Sequence, residues 1–161
     1  MSYVLFLGYD KTQTTLIDAL EGLNCRVDHT DESINDSDVA SYDLIISFGY
    51  RHILKPTFIE RCSYPIVNLH ISYLPFNRGA HPNFWSFYDG TQSGVSIHLI
   101  DDGIDTGPIL FQKKVSFTNE LTFSQTYKKL FVEIEELFVE NIEAIITKNW
   151  VEKHQKSKGT F

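Results

Sequence analysis

The apolar positions of the chain fall into short runs separated by polar, glycine or proline breaks. Tyr3 to Leu7 is an apolar run closed by Gly8, as expected of a buried strand. Leu16, Ala19, Leu20 and Leu23 recur at helical spacing, and Gly22 and Asn24 supply stop signals. Cys25 to His29 suits a second short strand, and the acidic stretch Thr30 to Asp38 a loop with at most one helical turn. Asp43 to Phe48 is apolar almost throughout and ends at Gly49, the pattern of a central parallel strand covered on both faces. Pro56 to Cys62 predicts a short helix with proline at its first position. Ile66 and Val67 then close another buried strand. His81 to Tyr88 predicts a further helix, with Phe84, Trp85 and Tyr88 as core side chains. Ser93 to Ile100 alternates strictly, setting Val95, Ile97 and Leu99 on one face and Ser96, His98 and Ile100 on the other. Pro108 to Phe117 is the last strand. From Asn119 to about Lys148 a single long helix is expected. Its apolar stripe is Phe123, Tyr127, Leu130, Phe131, Ile134, Leu137, Phe138, Ile145 and Ile146, opposite Glu133, Glu136, Glu140 and Glu143. That helix is expected to pack on the sheet, with a helix-mediated homodimer as the alternative.

Strands alternating with helices point to an α/β fold with a Rossmann-like, doubly wound, mostly parallel sheet and flanking helices, closed by the long C-terminal helix. A length of 161 residues suits a single domain, 1–161, with a polar tail over about 150–161. Hydrophobic residues make up 42% and aromatics 14%, so the chain can bury a core and is not of the disordered class. A net charge of −7 without any basic run leaves out the electrostatic footprint of a nucleic-acid binder. No apolar run approaches membrane-span length, and Met1 to Gly8 lacks the basic flank of a signal peptide. Cys25 and Cys62 are therefore expected as buried thiols of a cytoplasmic protein. The six histidines show no paired spacing with Cys or Asp that suggests a metal site, so none is expected.

Chemistry concentrates between Ile66 and Gly107. If the strand ending at Val67 stays extended, Asn68 and His70 point to the same side. The open end of such a strand is where α/β proteins place their sites. Asp105, flanked by Gly103 and Gly107, follows the alternating run Val95-Ile97-Leu99 and so also sits at a strand end. An amide, an imidazole and a carboxylate meeting there suit attack by an amine on a carbonyl carbon: a donor for the oxyanion, a group that moves protons, and a carboxylate that orients it. His98, on the polar face of its strand, is assigned a structural role. Each residue alone also fits a turn or a core position.

The combination Asn68-Leu69-His70, Ser72-Tyr73-Leu74-Pro75, Arg78-Gly79 and Asp102-Gly103-Ile104-Asp105-Thr106-Gly107 resembles the formyltransferases that use 10-formyltetrahydrofolate. Glycinamide ribonucleotide, methionyl-tRNA and amino-sugar formyltransferases belong to that group, and the resemblance runs from about Asp43 to Phe117. The wording Pro75-Phe-Asn-Arg-Gly-Ala-His-Pro-Asn-Phe-Trp85 is most similar to the amino-sugar branch. The resemblance implies formyl transfer from 10-formyltetrahydrofolate, as co-substrate, to a small-molecule primary amine, with an amino sugar carried on a nucleotide favoured; charge, hydropathy and histidine spacing leave no metal, nucleic acid or membrane expected. The catalytic set it implies is Asn68, His70 and Asp105, with Asn68 and a protonated His70 stabilising the oxyanion and Asp105 holding His70. It assigns folate contacts to Arg51, His52, Leu54, Ile100 and Asp102, and acceptor contacts to Tyr73, Phe76, Asn77 and Arg78, with Arg78 as anion handle. It also implies a cis Leu74-Pro75 bond. The Gly8 to Gln13 segment has one glycine where relatives carry a glycine-rich loop. The part before Asp43 is one strand–helix unit shorter than the family's, so a reduced nucleotide-binding half is expected. Relatives continue past a stretch like Gly159-Thr160-Phe161, so the chain reads as a minimal or shortened version. A formyltetrahydrofolate hydrolase and a non-catalytic folate- or nucleotide-sugar-binding domain are the alternative functions.

Overall fold

The structure is a computed structural model and describes residues 1–161 apart from Asp36, Asn119 and Ser157. Its strands are β1 (Tyr3–Gly8), β2 (Arg26–Thr30), β3 (Leu44–Phe48), β4 (Ile66–His70), β5 (Gly94–Leu99) and β6 (Ile109–Lys114). Its helices are α1 (Leu16–Gly22), α2 (Pro56–Arg61), α3 (Pro82–Tyr88), α4 (Phe123–Glu140) and α5 (Ile142–Thr147). The strands form one six-stranded sheet in the order β2-β1-β3-β4-β5-β6. The first four are mutually parallel, while β4 with β5 and β5 with β6 run antiparallel.

Period-two alternation sorts the strand residues onto two cores. Val4, Phe6, Leu44, Ile46, Val67, Leu69, Val95 and Ile97 pack with α1, α4 and α5 on one face. Leu5, Leu7, Ile45 and Ile66 meet Leu54 and Phe58 of the α2 side on the other. β3 is buried along its whole length, as its unbroken apolar run requires. On the second face the apolar series stops abruptly. Ser47 lies beside Asn68 in the β3–β4 register, and Asn68 lies opposite His98, with His70 opposite Ser96, between β4 and β5. A polar row thus crosses three strands where the α2-side core ends.

Two expectations about helices are corrected. The long C-terminal helix is divided at Asn141, whose backbone leaves the helical region at φ −115° and ψ 9°. Its side-chain amide donates to the Leu137 carbonyl at 2.8 Å, so side chain and backbone compete for the same acceptor row and the helix breaks. The expected start, Asn119, lies outside the described residues, as does Asp36 in the acidic loop. The observed start is a capping box in which Thr122 and Gln125 satisfy each other's backbone N–H groups. Phe84 and Tyr88 are exposed rather than in the core, at 44% and 74%. The buried face of α3 is Pro82, Asn83 and Ser86. Asn83 bonds the start of α4, donating to the Phe123 carbonyl and accepting from the Thr126 hydroxyl. Polar docking of α3 turns its aromatic side outward, with Phe123 of α4, also expected inside, 52% exposed next to it.

Ile46, fully buried on the central strand, reads out the sheet core. Ile46→Ala should lower unfolding free energy in urea by about 2–5 kcal/mol, against about 1 kcal/mol for removing the cap with Thr122→Ala. Equal losses would contradict this division.

Candidate active site

A cleft of about 640 Å³ opens where the polar row meets the connections after β3, β4 and β5. Asn68, His70 and Asp105 all line it, as do Arg51, His52, Leu54, Ile100 and Asp102. The sequence places Asn68 and His70 there through strand alternation. Asp105 arrives because the loop after β5 folds back, with Ile100 N–H donating to the Ile66 carbonyl at 2.8 Å. Gly107 makes that return feasible: a Cβ there would sit 1.9 Å from the Leu99 carbonyl oxygen. Asp105 itself is left-handed at φ 52°, a conformation that Asp tolerates better than most residues.

The carboxylate is the hub. One Asp105 oxygen accepts from Gly79 N–H at 2.8 Å and lies 3.6 Å from His70 Nε2. The other accepts from Asn68 Nδ2 at 3.4 Å and lies 3.4 Å from His98 Nε2. His70 Nε2–H donates to the Asn77 carbonyl at 3.0 Å. That bond fixes the tautomer, leaving Nδ1 of a neutral ring without a proton. In His98, Nδ1–H donates to the Leu99 carbonyl at 2.8 Å. Nε2 of neutral His98 is then an acceptor, receiving a hydrogen bond from Asn68 Nδ2–H at 3.1 Å; in a protonated ring it donates to Asp105 instead.

His98 is thus the residue that the sequence reading misplaced: it is buried and touches both Asn68 and Asp105. The signal was its place on the polar face of β5. What alternation does not give is the register that sets it opposite Asn68. The expected protonated His70 is also revised. Burial pushes its pKa below the ordinary value and His98 adds to this, while Asp105 and the Asn77 carbonyl oppose it. The resting ring is neutral at pH 7. For Asp105 burial alone would raise the pKa. The His98 contact, the pull of the two imidazoles once they are protonated at low pH, and the Gly79 N–H outweigh it, lowering the carboxyl to about 2.

The expected acceptor contacts do not gather in this cleft. Arg78 is buried and gives its guanidinium to Gln155 Oε1, from Nη2 at 2.7 Å and Nε at 3.2 Å. Asn77 is fully buried, donating to Thr91 and bonded to Thr160. Tyr73 lines a different cavity, of about 840 Å³, together with the 151–156 segment. The Phe76 carbonyl accepts from the Ser72 hydroxyl. An arginine in a polar loop reads as an anion handle until the distant segment that sequesters it is known. The Leu74-Pro75 bond is cis, as expected. Among the described residues, no group of three or more His, Cys, Asp or Glu side chains is arranged to hold a metal ion.

A doubly wound sheet with an amide, imidazoles and a carboxylate at its strand ends is an arrangement chemically suited to attack on a carbonyl carbon. The chain matches the family described as Formyl transferase over residues 10–142, and it belongs to that family. It is 33% identical over 125 residues to dTDP-4-amino-4,6-dideoxyglucose formyltransferase of Mycobacterium bovis, covering 76% of this chain and 52% of that protein. It is 38% identical over 102 residues to methionyl-tRNA formyltransferase of Thermodesulfovibrio yellowstonii, covering 63% of this chain and 33% of that protein. The chain therefore spans about half the first of these relatives and a third of the second. The formyltransferase PseJ from Anoxybacillus kamchatkensis, solved with UDP-4,6-dideoxy-4-formamido-L-AltNAc and tetrahydrofolate, superposes with a TM-score of 0.92 at 37% identity. That match covers 99% of this chain and 85% of PseJ.

Asp105 has a folded pKa of about 2 against an ordinary 3.8, so the unfolded state takes up the proton first as pH falls. Its contribution is complete above the unfolded value and disappears as pH drops through about 2. At about 1.4 kcal/mol per pH unit this is at most about 2.5 kcal/mol. Denaturant titrations across pH 2–6 should show the wild-type protein losing this increment relative to Asp105→Asn. Parallel profiles would show that Asp105 is not held as an anion.

Proposed function

We propose that the protein is an N-formyltransferase that moves the formyl group of 10-formyltetrahydrofolate to the primary amine of a nucleotide-linked amino sugar. The observation that carries this reading is the convergence of Asn68, His70 and Asp105 in one cleft of a formyl transferase family member. The acceptor class is supported by the names of the mycobacterial relative and of the ligands held by PseJ. The net charge of −7 and the absence of a basic run argue against a tRNA acceptor, although methionyl-tRNA enzymes are also among the relatives. The family implies a folate co-substrate, and the cleft's volume and mixed lining of apolar and polar groups fit a ligand of that size. Two free cysteines suit the reducing cytoplasm proposed for it.

In this mechanism the amine nitrogen attacks the formyl carbon, and the carbonyl electrons move to oxygen. The Asn68 amide, both of whose N–H groups are engaged at rest, turns the N–H of its longer bond, the 3.4 Å contact to Asp105, to that oxyanion. Neutral His70 accepts the amine proton at Nδ1 and becomes an imidazolium, which Asp105 favours electrostatically. The adduct collapses by breaking the carbon–N10 bond, and His70 returns its proton to N10. Folate leaves as tetrahydrofolate. Arg51 and His52, exposed on the connection after β3, lie along the donor's side of the cleft in this reading.

Incubation with 10-formyltetrahydrofolate and a panel of UDP- and dTDP-linked amino sugars should give tetrahydrofolate and the formamido sugar together. Formate release without an amine would favour the hydrolase, and folate binding without turnover a binding domain. His70→Ala and Asp105→Ala should each lower kcat by about two orders of magnitude or more. Near-normal turnover in either variant would remove the assignment.

Arg51→Ala should raise the donor's KM roughly fivefold, the effect of about 1 kcal/mol from an exposed charge, and leave the acceptor's KM within twofold. Steady-state kinetics with each substrate varied in turn checks this. A rise confined to the acceptor would place Arg51 on the wrong ligand.

A further inference from the structure

We propose that Gln155 is a positioning residue whose side-chain amide ties the Asp105 loop to the loop carrying Arg78 and Gly79, and thereby sets where Asp105 stands relative to His70. This rests on the formyl-transfer reading for its kinetic consequence, but the geometry stands without it.

The amide of Gln155 is used at both ends. Nε2 donates to the Asp105 carbonyl at 2.9 Å and to the Gly107 carbonyl at 2.8 Å. Oε1 accepts both bonds from Arg78. Its orientation is forced: flipping it would set NH₂ against a guanidinium and oxygen against two carbonyls. Arg78 therefore acts on Gln155 as orienter, which accounts for a buried cation bonded to a neutral amide. Gly79, next in the chain, closes the circuit by donating its N–H to the Asp105 carboxylate. The carboxylate and the carbonyl of one residue are thus held from two sides by neighbouring residues of a single loop, joined through Gln155.

The segment that presents Gln155 is itself anchored. Ile109 and Lys153 exchange both backbone bonds at 2.9 Å. Further along, the Thr160 carbonyl accepts from Arg78 N–H at 2.8 Å, and its hydroxyl accepts from Asn77 N–H at 2.8 Å. Asn77 is the residue whose carbonyl fixes His70. Anchored at Lys153, this segment thus reaches both partners of the proposed acid–base pair through Gln155 and Thr160, and none of these three residues lines the cleft.

The test uses the full chain, ¹⁵N-labelled at glycine and histidine, with Gln155→Glu and Gln155→Leu. Gln155→Glu keeps an acceptor for Arg78 but replaces the donor to the two carbonyls by a carboxylate oxygen that repels them; Gln155→Leu removes both ends without adding charge. For Gln155→Glu we expect a folded protein whose kcat falls at least tenfold with donor KM within twofold. Its Gly79 amide proton should move upfield and exchange at least tenfold faster, and the His70 ring nitrogens should shift. Gln155→Leu should show the same signature at least as strongly. The proposal is overturned if folded Gln155→Glu keeps kcat within twofold, if the Gly79 and His70 resonances stay in place, or if both variants simply unfold, which would make Gln155 a determinant of the fold. Should the wild-type chain transfer no formyl group, the functional reading fails, while the Gly79 and His70 resonances still decide the role of Gln155.

Discussion

A buried carboxylate is costly unless it is fully surrounded by donors, and the arrangement around Asp105 follows from that constraint. Gly79 N–H and the Asn68 amide face its oxygens, with the His70 and His98 rings close by. These four groups come from three stretches of chain: β4, the loop after it, and the far end of β5. Keeping Asp105 ionised in this setting fixes the relative positions of all three. Burial disfavours charge on the neighbouring imidazole as well, and there it prevails and holds His70 neutral. The pair is therefore polarised at rest, an anion beside an uncharged base, which is the state from which a proton can be accepted.

The sheet positions this cluster through a change in strand direction. Parallel pairing of β1, β3 and β4 brings Ser47 and Asn68 to the same sheet edge. Antiparallel pairing of β5 carries its chain toward the start of β4, with Leu99 opposite Val67, so the loop after Leu99 has to fold back to bring Asp105 beside Asn68 and His98. The return at Gly107 is what lets residues of β4 and of the loop after β5 share one cleft.

Much of this was legible in the sequence because it is local. The apolar run Leu44–Phe48, the alternation in β5 and the proline starts of α2 and α3 report directly on backbone periodicity. Asn68 and His70 followed from the same rule. What was not legible depends on partners far along the chain. His98 needed the β4–β5 register, Arg78 needed Gln155, and the outward turn of Phe84 and Tyr88 needed the polar seat of Asn83 on α4. The break at Asn141 is a local competition, but one between a side chain and its own helix that hydrophobic spacing does not register.

The contacts that complete the site span long stretches of polypeptide. Gln155 reaches back 50 residues to the Asp105 carbonyl, and Thr160 reaches back 83 to Asn77. A chain emerging from the ribosome can pair its six strands before either residue has been made. The nascent molecule then holds its cores while its polar cluster still lacks the outer tie. Closing loops of such length is slow compared with forming neighbouring strands and helices. Maturation of the cleft in this sense waits for Gln155 and Thr160, and is separated in time from acquisition of the fold.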